Sequence, residues 1–389
     1  MNEEPTIAHD IPFSVPFVHR LRVTGDVAGA DFPVLTGVLD RDVAGPSRVL
    51  VVAEHALREP GVDGGSDPVA AIASKLAETQ SVDLTQPPLL VHGGEAVKNS
   101  QATVDAILRA IHDNQLDRRS YVVAIGGGAM LDAVGYAAAI AHRGVRLVRI
   151  PTTTLAQADS GVGVKNAINF FGKKNWIGTF AVPWAVINDW KLLETLPDRD
   201  FLSGFSEAIK VALLKDRQQL DWLVKHAASI VARDGQVARP AIHRSCLLHL
   251  KHITEGGDPY EMLEARPLDF GHWSAHRLES LSQFEIRHGE AVAIGVAIDC
   301  IYSVEQFGLP RADALKVISG LHDLGLKVWH PLLQSANQVL EGLEEFRQHL
   351  GGRLTLTMLR RIGDPIHVHE IDLDVMKRSI ESLDSPLRP

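Results

Sequence analysis

One stretch constrains this chain more than any other: residues 121–179, YVVAIGGGAMLDAVGYAAAIAHRGVRLVRIPTTTLAQADSGVGVKNAINFFGKKNWIGT. A β-rich apolar run at 121–125 breaks at Gly126, Gly127 and Gly128 and resumes as an Ala-rich pattern to His142. That reads as strand, tight turn, helix. A second apolar run, 145–150, ends in Pro151-Thr152-Thr153, and a loop punctuated by glycines is expected to deliver Lys165, Lys173 and Lys174. Two strand ends, small residues that let backbone N–H groups approach an anion, and lysines beyond them predict a site for a phosphorylated ligand.

Upstream, 48–53 (RVLVVA) and 88–91 (PLLV) are short apolar runs suited to buried parallel strands, and 68–78 and 103–113 have helical spacing. The second run leads into Gly93-Gly94-Glu95-Ala96-Val97-Lys98. Residues 17–23 and 32–39 are expected to be strands forming a lid or hairpin beside the core. Strands alternating with helices to about residue 190 imply a parallel sheet with helices on both faces, whose ligand sites form at the carboxyl ends of strands. After Leu196-Pro197 helical patterns dominate, over 201–216, 218–234, 239–253, 271–282, 290–307 and 338–350, and only 354–359 reads as strand. With 389 residues, more than one ordinary core, the expected fold is α/β: a Rossmann-like parallel-sheet domain at 1–197 and a mostly helical domain at 198–389.

Composition narrows the partners. A net charge of −9 spread along the chain argues against nucleic acid, and 45 % hydrophobic with 22 % charged residues suits a globular protein. Cys246 and Cys300 lack CxxC spacing and read as small buried hydrophobes in a reducing compartment. The first fifteen residues carry no signal-peptide pattern and no apolar run reaches about 18 residues, so a cytoplasmic location is expected.

The helical half carries the remaining reactive residues. Glu207 and Lys210 share a helix face at i and i+3, His272 and His276 stand at i and i+4, and His288 precedes an apolar helix. On the residues alone, an ion pair and surface or core histidines account for these positions better than a metal site does.

In order and close to their spacing, GGGAMLDAVGYAAAIAHRG, PTTTLAQADSGVGVKNAIN, GKKNWIGTF, GFSEAIK, FGHWSAH and RHGEAVAIG resemble the motifs of the 3-dehydroquinate synthase superfamily, the sugar phosphate cyclases. The resemblance covers roughly residues 48–365. It implies NAD+ in the first domain and a catalytic divalent metal, usually zinc with cobalt as an alternative, held in the second by Glu207, His272 and His288. His276 then becomes a proton-transfer residue working near its unperturbed pKa. The family's NAD contacts fall on Gly93, Gly94, Glu95, Lys98, Gly126, Gly127, Gly128, Asp132, Thr152, Thr153, Lys165, Lys174 and Thr195. Arg143, Lys174, Asn175, Lys210 and Lys251 fall on substrate positions, and Lys165, Asp159 and Asp269 complete the catalytic set. The implied reaction is redox-neutral: oxidation of a secondary alcohol, phosphate elimination, re-reduction by the same NADH, ring opening and an intramolecular aldol closure. A homodimer is typical of the family.

Three departures bear on substrate. Counted from Lys251, the family's Arg is replaced by Ala265, with Arg266 beside it; its Asn before Gly-His is Asp269; and its Lys-Lys pair becomes Arg347-Gln348. Trading a cation for a methyl and an amide for an acceptor-only carboxylate should repel a substrate carboxylate. The same Asp is characteristic of cyclases that act on sedoheptulose 7-phosphate to give valiolone-type cyclitols. RPLDFGHWSAH and FRQHLGG resemble the cyclase branch of bacterial clusters for eustigmatophyte-type metabolites. Rival readings are 3-dehydroquinate synthase itself, favoured if Arg266 restores the cation, and a metal-dependent alcohol or glycerol phosphate dehydrogenase.

Overall fold

The computed structural model describes residues 9–40, 45–58, 67–256, 258–262, 267–349 and 352–384. Its centre is β5 (Tyr121–Gly126), buried at every position, as a strand covered on both faces must be. It pairs in parallel with β2 (Ser47–Glu54) on one side and β6 (Arg146–Pro151) on the other. Beyond β6 come β9 (Ala185–Asp189) and then β1 (Leu21–Thr24) at the edge. Beyond β2, β3 (Val82–Leu84) pairs with its first half and β4 (Leu89–Val91) with its second.

Alternate residues of these strands feed two apolar layers, as the two-residue period of a strand requires. Leu50, Val52, Val122 and Ala124 pack under α3 (Gln101–Asp113) and α4 (Gly128–Ile140). Val49, Val51, Val123 and Ile125 pack under α1 (Phe32–Val38) and α2 (Pro68–Glu78).

Two expectations fail in this half. Residues 32–38 are helix α1, because Pro33 sits in the first turn and Leu35 and Val38 fall at i and i+3 toward the core. Among the described residues near the N-terminus, only 21–24 forms a strand, and it extends the parallel sheet instead of making a hairpin. The lysine-bearing segment is likewise an antiparallel hairpin, β7 (Lys165–Phe170) and β8 (Lys173–Phe180), turning through Phe171 and Gly172 at positive φ. Its buried Asn166 and Asn169 interrupt the apolar alternation by which a strand is recognised.

The second half is helical: α5 (Thr154–Ala158) and α6 (Lys191–Glu194) lead into α7 (Asp198–Ser203), α8 (Phe205–Lys215), α9 (Arg217–Lys225), α10 (Ala227–Val231) and α11 (Gly235–Glu255). There follow α12 (His272–Leu281), α13 (His288–Phe307), α14 (Arg311–Asp323), α15 (Ala336–His349) and α16 (Leu373–Glu381). The strand expected at 354–359 is β10 (Leu356–Arg361), and it pairs with β11 (Asp364–Val368), whose Pro365 and His367 hid it. The second core centres on α8 and α13, which carry ten and thirteen buried residues. Among the described residues no helix is long and apolar enough to cross a membrane.

Candidate active site

A cavity of about 1580 Å³ runs from the carboxyl ends of the parallel strands to the N-terminal turns of the helices that follow. That exceeds the space one drug-sized ligand fills and leaves room for two molecules.

At the sheet end, β2 and β5 are neighbours, yet the chain leaves β2 toward β3 and β4 and returns past it to β5. Ligands of open parallel sheets bind at such a reversal. Glu54, the last residue of β2, accepts a hydrogen bond from the Gly127 N–H at 2.9 Å. A Cβ at Gly93 or Gly126 would overlap the Glu54 side chain, so the two glycine turns admit this carboxylate. Burial raises its pKa, the Gly127 N–H opposes that rise, and Asp200 adds to it. Sequence reasoning passed over Glu54, although an acid closing an apolar strand was visible in RVLVVAE.

Lys98, from the turn after β4, donates to Asp132 at 2.6 Å and to Asn175 at 2.9 Å. Burial opposes its charge, but Asp132 and Glu95 outweigh it and the pKa is raised. Gly93, Gly94, Glu95, Gly127, Gly128, Asp132, Thr152, Thr153 and Thr195 also line the cavity, while Gly126 lies buried at the end of β5.

The middle of the cavity is anchored by Arg149 in β6, another residue the sequence reading missed. Fully buried, it donates to the carbonyls of Gly161 and Gly163 and to Asn166 Oδ1. This fastens segment 161–166 to the sheet; just before it, Asp159 Oδ1 lies 2.5 Å from His249 Nδ1. His249, His252 and Ile253 line the cavity at i, i+3 and i+4 of α11. Lys251 falls on the opposite face, 68 % exposed and 3.7 Å from Glu255. Helical phase therefore takes Lys251 out of the wall and puts His249 in it. Arg143 is also outside, exposed beyond the end of α4. Lys165 lines the cavity 2.5 Å from Glu261.

At the helical end, Glu207 comes from the first turn of α8, and His272 and His288 open α12 and α13. Their ligand-type atoms lie within 4.8 Å of one another, and each imidazole Nε2 is 3.5 Å from Glu207 Oε1. Glu207 is fully buried, and neither of its oxygens has a hydrogen-bond partner, the Lys210 ammonium being its ion-pair partner. Burial opposes its charge, but Lys210 and both histidines hold its pKa well down. A tetrahedral cation with bonds of about 2.1 Å spaces its ligands about 3.4 Å apart. The donor set and its spacing therefore fit a divalent metal.

Behind these three residues, Glu279 Oε2 lies 3.0 Å from His288 Nδ1 and Lys174 donates to both Glu279 oxygens at 2.7 and 2.8 Å. Such a carboxylate fixes the ring of a ligating histidine. Burial works against charge on His288, yet Glu279 raises its pKa to about 9; the same field favours a metal cation. His276 differs from expectation. Burial, reinforced by Lys174 and His272, pushes its pKa well down, so it is a neutral imidazole and does not titrate near its ordinary value. Lys174, Asn175, Lys210 and Asp269 line this part of the cavity. Ala265 and Arg266 lie outside the described residues. Arg347 pairs with Glu344, and Gln348 lies 3.4 Å from Lys173 on the surface.

Family models agree with this arrangement: those for the 3-dehydroquinate synthase N-terminal and C-terminal regions match residues 88–203 and 204–347. The chain belongs to the 3-dehydroquinate synthase family. A family member named 3-dehydroquinate synthase, from Halorhodospira halophila, is 34 % identical over 336 residues, covering 85 % of this chain and 90 % of its own. Another of that name, from Azotobacter vinelandii, is 36 % identical over 299 residues, covering 76 % and 80 %. Among solved structures, the 2-epi-5-epi-valiolone synthase ValA of Streptomyces hygroscopicus subsp. jinggangensis, with NAD+ and Zn2+ bound, matches with a TM-score of 0.85 and 27 % identity, over 96 % of this chain and 99 % of that one. A 2-deoxy-scyllo-inosose synthase with NAD+ and Co2+ shares the fold at TM-score 0.76 and 21 % identity, over 93 % and 96 %.

Proposed function

We propose that the protein is an NAD+- and divalent-metal-dependent sugar phosphate cyclase that converts sedoheptulose 7-phosphate, a seven-carbon keto-sugar phosphate, into a carbocycle with loss of phosphate. The observation that carries this reading is Asp269, an acceptor-only side chain in the wall of the same cavity as Glu207, His272 and His288. A carboxylate there welcomes hydroxyl groups and repels a substrate acid. The likeness to ValA supports the same substrate class.

When bound, NAD+ supplies a hydride acceptor and donor and the metal a Lewis acid, zinc or cobalt both suiting a carboxylate and two imidazoles. The chain does the rest. The glycine turns at 93–94 and 127–128 let the pyrophosphate approach the backbone closely, the Gly127 N–H being held by Glu54, and Glu54, Glu95 and Asp132 accept from ribose hydroxyls. Glu207, His272 and His288 hold the metal, and Glu279 orients His288. Lys165, Lys174 and Asn175 meet the phosphate, and neutral His276 accepts a proton at its ring nitrogen. His249, held at Nδ1 by Asp159, takes the place that the sequence suggested for Lys251. This reading divides the protein near residue 197 into a dinucleotide domain and a metal domain, and has it work as a cytoplasmic homodimer.

A second reading, 3-dehydroquinate synthase, is favoured by the names of the relatives at 34 and 36 % identity. Phosphate release by metal-loaded protein with NAD+ separates the two. Turnover of sedoheptulose 7-phosphate alone is the expected result; turnover of the seven-carbon keto-acid phosphate alone overturns the substrate assignment.

A further inference from the structure

Asp299 is a charged residue in a place that should not tolerate one. It lies within α13, 1 % exposed, among the apolar residues that pack α13 against α12. Among the described residues no cation pairs with it, and burial pushes its pKa up to about 7, with Trp273 and Gly271 opposing. A buried carboxylate without a cation is costly, and apolar side chains of similar volume commonly replace such groups without loss of stability. Its partners give the cost a use. Oδ2 accepts from the Gly271 N–H at 2.7 Å, and Oδ1 from Trp273 Nε1 at 2.9 Å. These two residues flank His272.

The surrounding backbone shows why a clamp is needed here. Gly271 is left-handed, with φ +78°, and lies directly on α13: a Cβ on Gly271 would overlap the Val296 nitrogen, and one on Gly295 would overlap the Gly271 carbonyl. His272 therefore leaves a tight turn pressed onto the helix that begins with His288. Two N–H groups converge on one residue of α13 from either side of His272, and a carboxylate offers each of them its own acceptor oxygen.

We propose that Asp299 is a positioning residue which, by gripping Gly271 and Trp273 together, sets the turn that aims His272 at Glu207 and His288. The proposal rests on the reading of those three residues as a metal site. Asp299→Asn keeps the shape but turns an amide donor toward one of the two N–H groups, and Trp273→Phe removes one grip while leaving the Gly271 bond.

The test is metal binding by full-length protein, with Zn2+ affinity measured by chelator competition and Co2+ geometry read from its visible absorption, alongside circular dichroism. Loss of an outer support typically costs 10- to 100-fold in metal affinity. Asp299→Asn is expected to lose about that much and to change the Co2+ spectrum while remaining folded, and Trp273→Phe to lose less. If Asp299→Asn does not fold, Trp273→Phe decides the matter. Native affinity and an unchanged spectrum in folded variants overturn the clamp and leave the metal site standing. Failure of the unmodified protein to bind either ion overturns the metal reading and the clamp with it, and Asp299→Asn binding like His272→Ala, which lacks the ligand, would make Asp299 indispensable rather than supporting.

Discussion

At the sheet end of the cavity the wall is shaped by glycine turns stationed by a parallel sheet, with Glu54, Glu95, Lys98 and Asp132 set close beside them. At the helical end it is shaped by side chains, brought from α8, α12 and α13 and braced by Lys174 of the hairpin. The first kind of site is set by local chain geometry, and a single short stretch can encode it. The second exists only when distant helices pack correctly. The sheet end should therefore be insensitive to the loss of any one helical side chain, whereas the helical end should fail when one ligand goes.

The sharpest way to break that contrast is His272→Ala. Metal content should fall to background and phosphate release by at least about 1000-fold, while NAD+ affinity, read by fluorescence titration, stays within about twofold. Loss of NAD+ binding as well would show the ends to be one cooperative unit. Chelator treatment of the unmodified protein should reproduce the same split, with activity restored on adding Zn2+ or Co2+.

Glu54→Ala probes the opposite end and should raise the NAD+ dissociation constant about 10-fold or more by removing a charged acceptor, with the metal retained. Asp269→Asn should be milder. It removes the negative charge facing the substrate, so relative turnover should move about 10-fold toward the keto-acid phosphate, measured as the ratio of kcat/KM values.

The smallest effect belongs to the seam between the two regions, where Cys246 of α11 packs against Val162 and Val186. Burial pushes its thiol up to about 12, Asn188 opposing and Asp159 adding to the shift. The reactive thiolate forms only as pH approaches that value, so iodoacetamide at pH 8 should leave Cys246 unmodified and turnover unchanged. Labelling in the folded state at pH 8 would mean the seam opens.

The same contrast governs what the sequence disclosed. The strand, glycine turn and helix at 121–140 were legible because apolar period and turn chemistry are local signals. Glu207, His272 and His288 were not, since eighty residues lie between the first and the last and nothing in HxxxH spacing points to His288 over His276. Resemblance supplied that set, and the packing of α8, α12 and α13 shows why it converges. Lys251 differs for a related reason: resemblance of motifs carries no helical phase, and α11 turns His249 into the cavity wall while Lys251 lies exposed. The hairpin 165–180 escaped because Asn166 and Asn169 are buried for their hydrogen bonds to Arg149, Glu95 and Asn99. Apolar patterning cannot report such a contact.

The measurement that bears most directly on the whole account follows phosphate and NADH together in one reaction of metal-loaded protein, NAD+ and sedoheptulose 7-phosphate. A cyclase that returns its hydride within each cycle releases phosphate through many turnovers with no net NADH. NADH accumulating once per turnover, with phosphate still on the sugar, would make the protein a dehydrogenase and contradict the account at its centre.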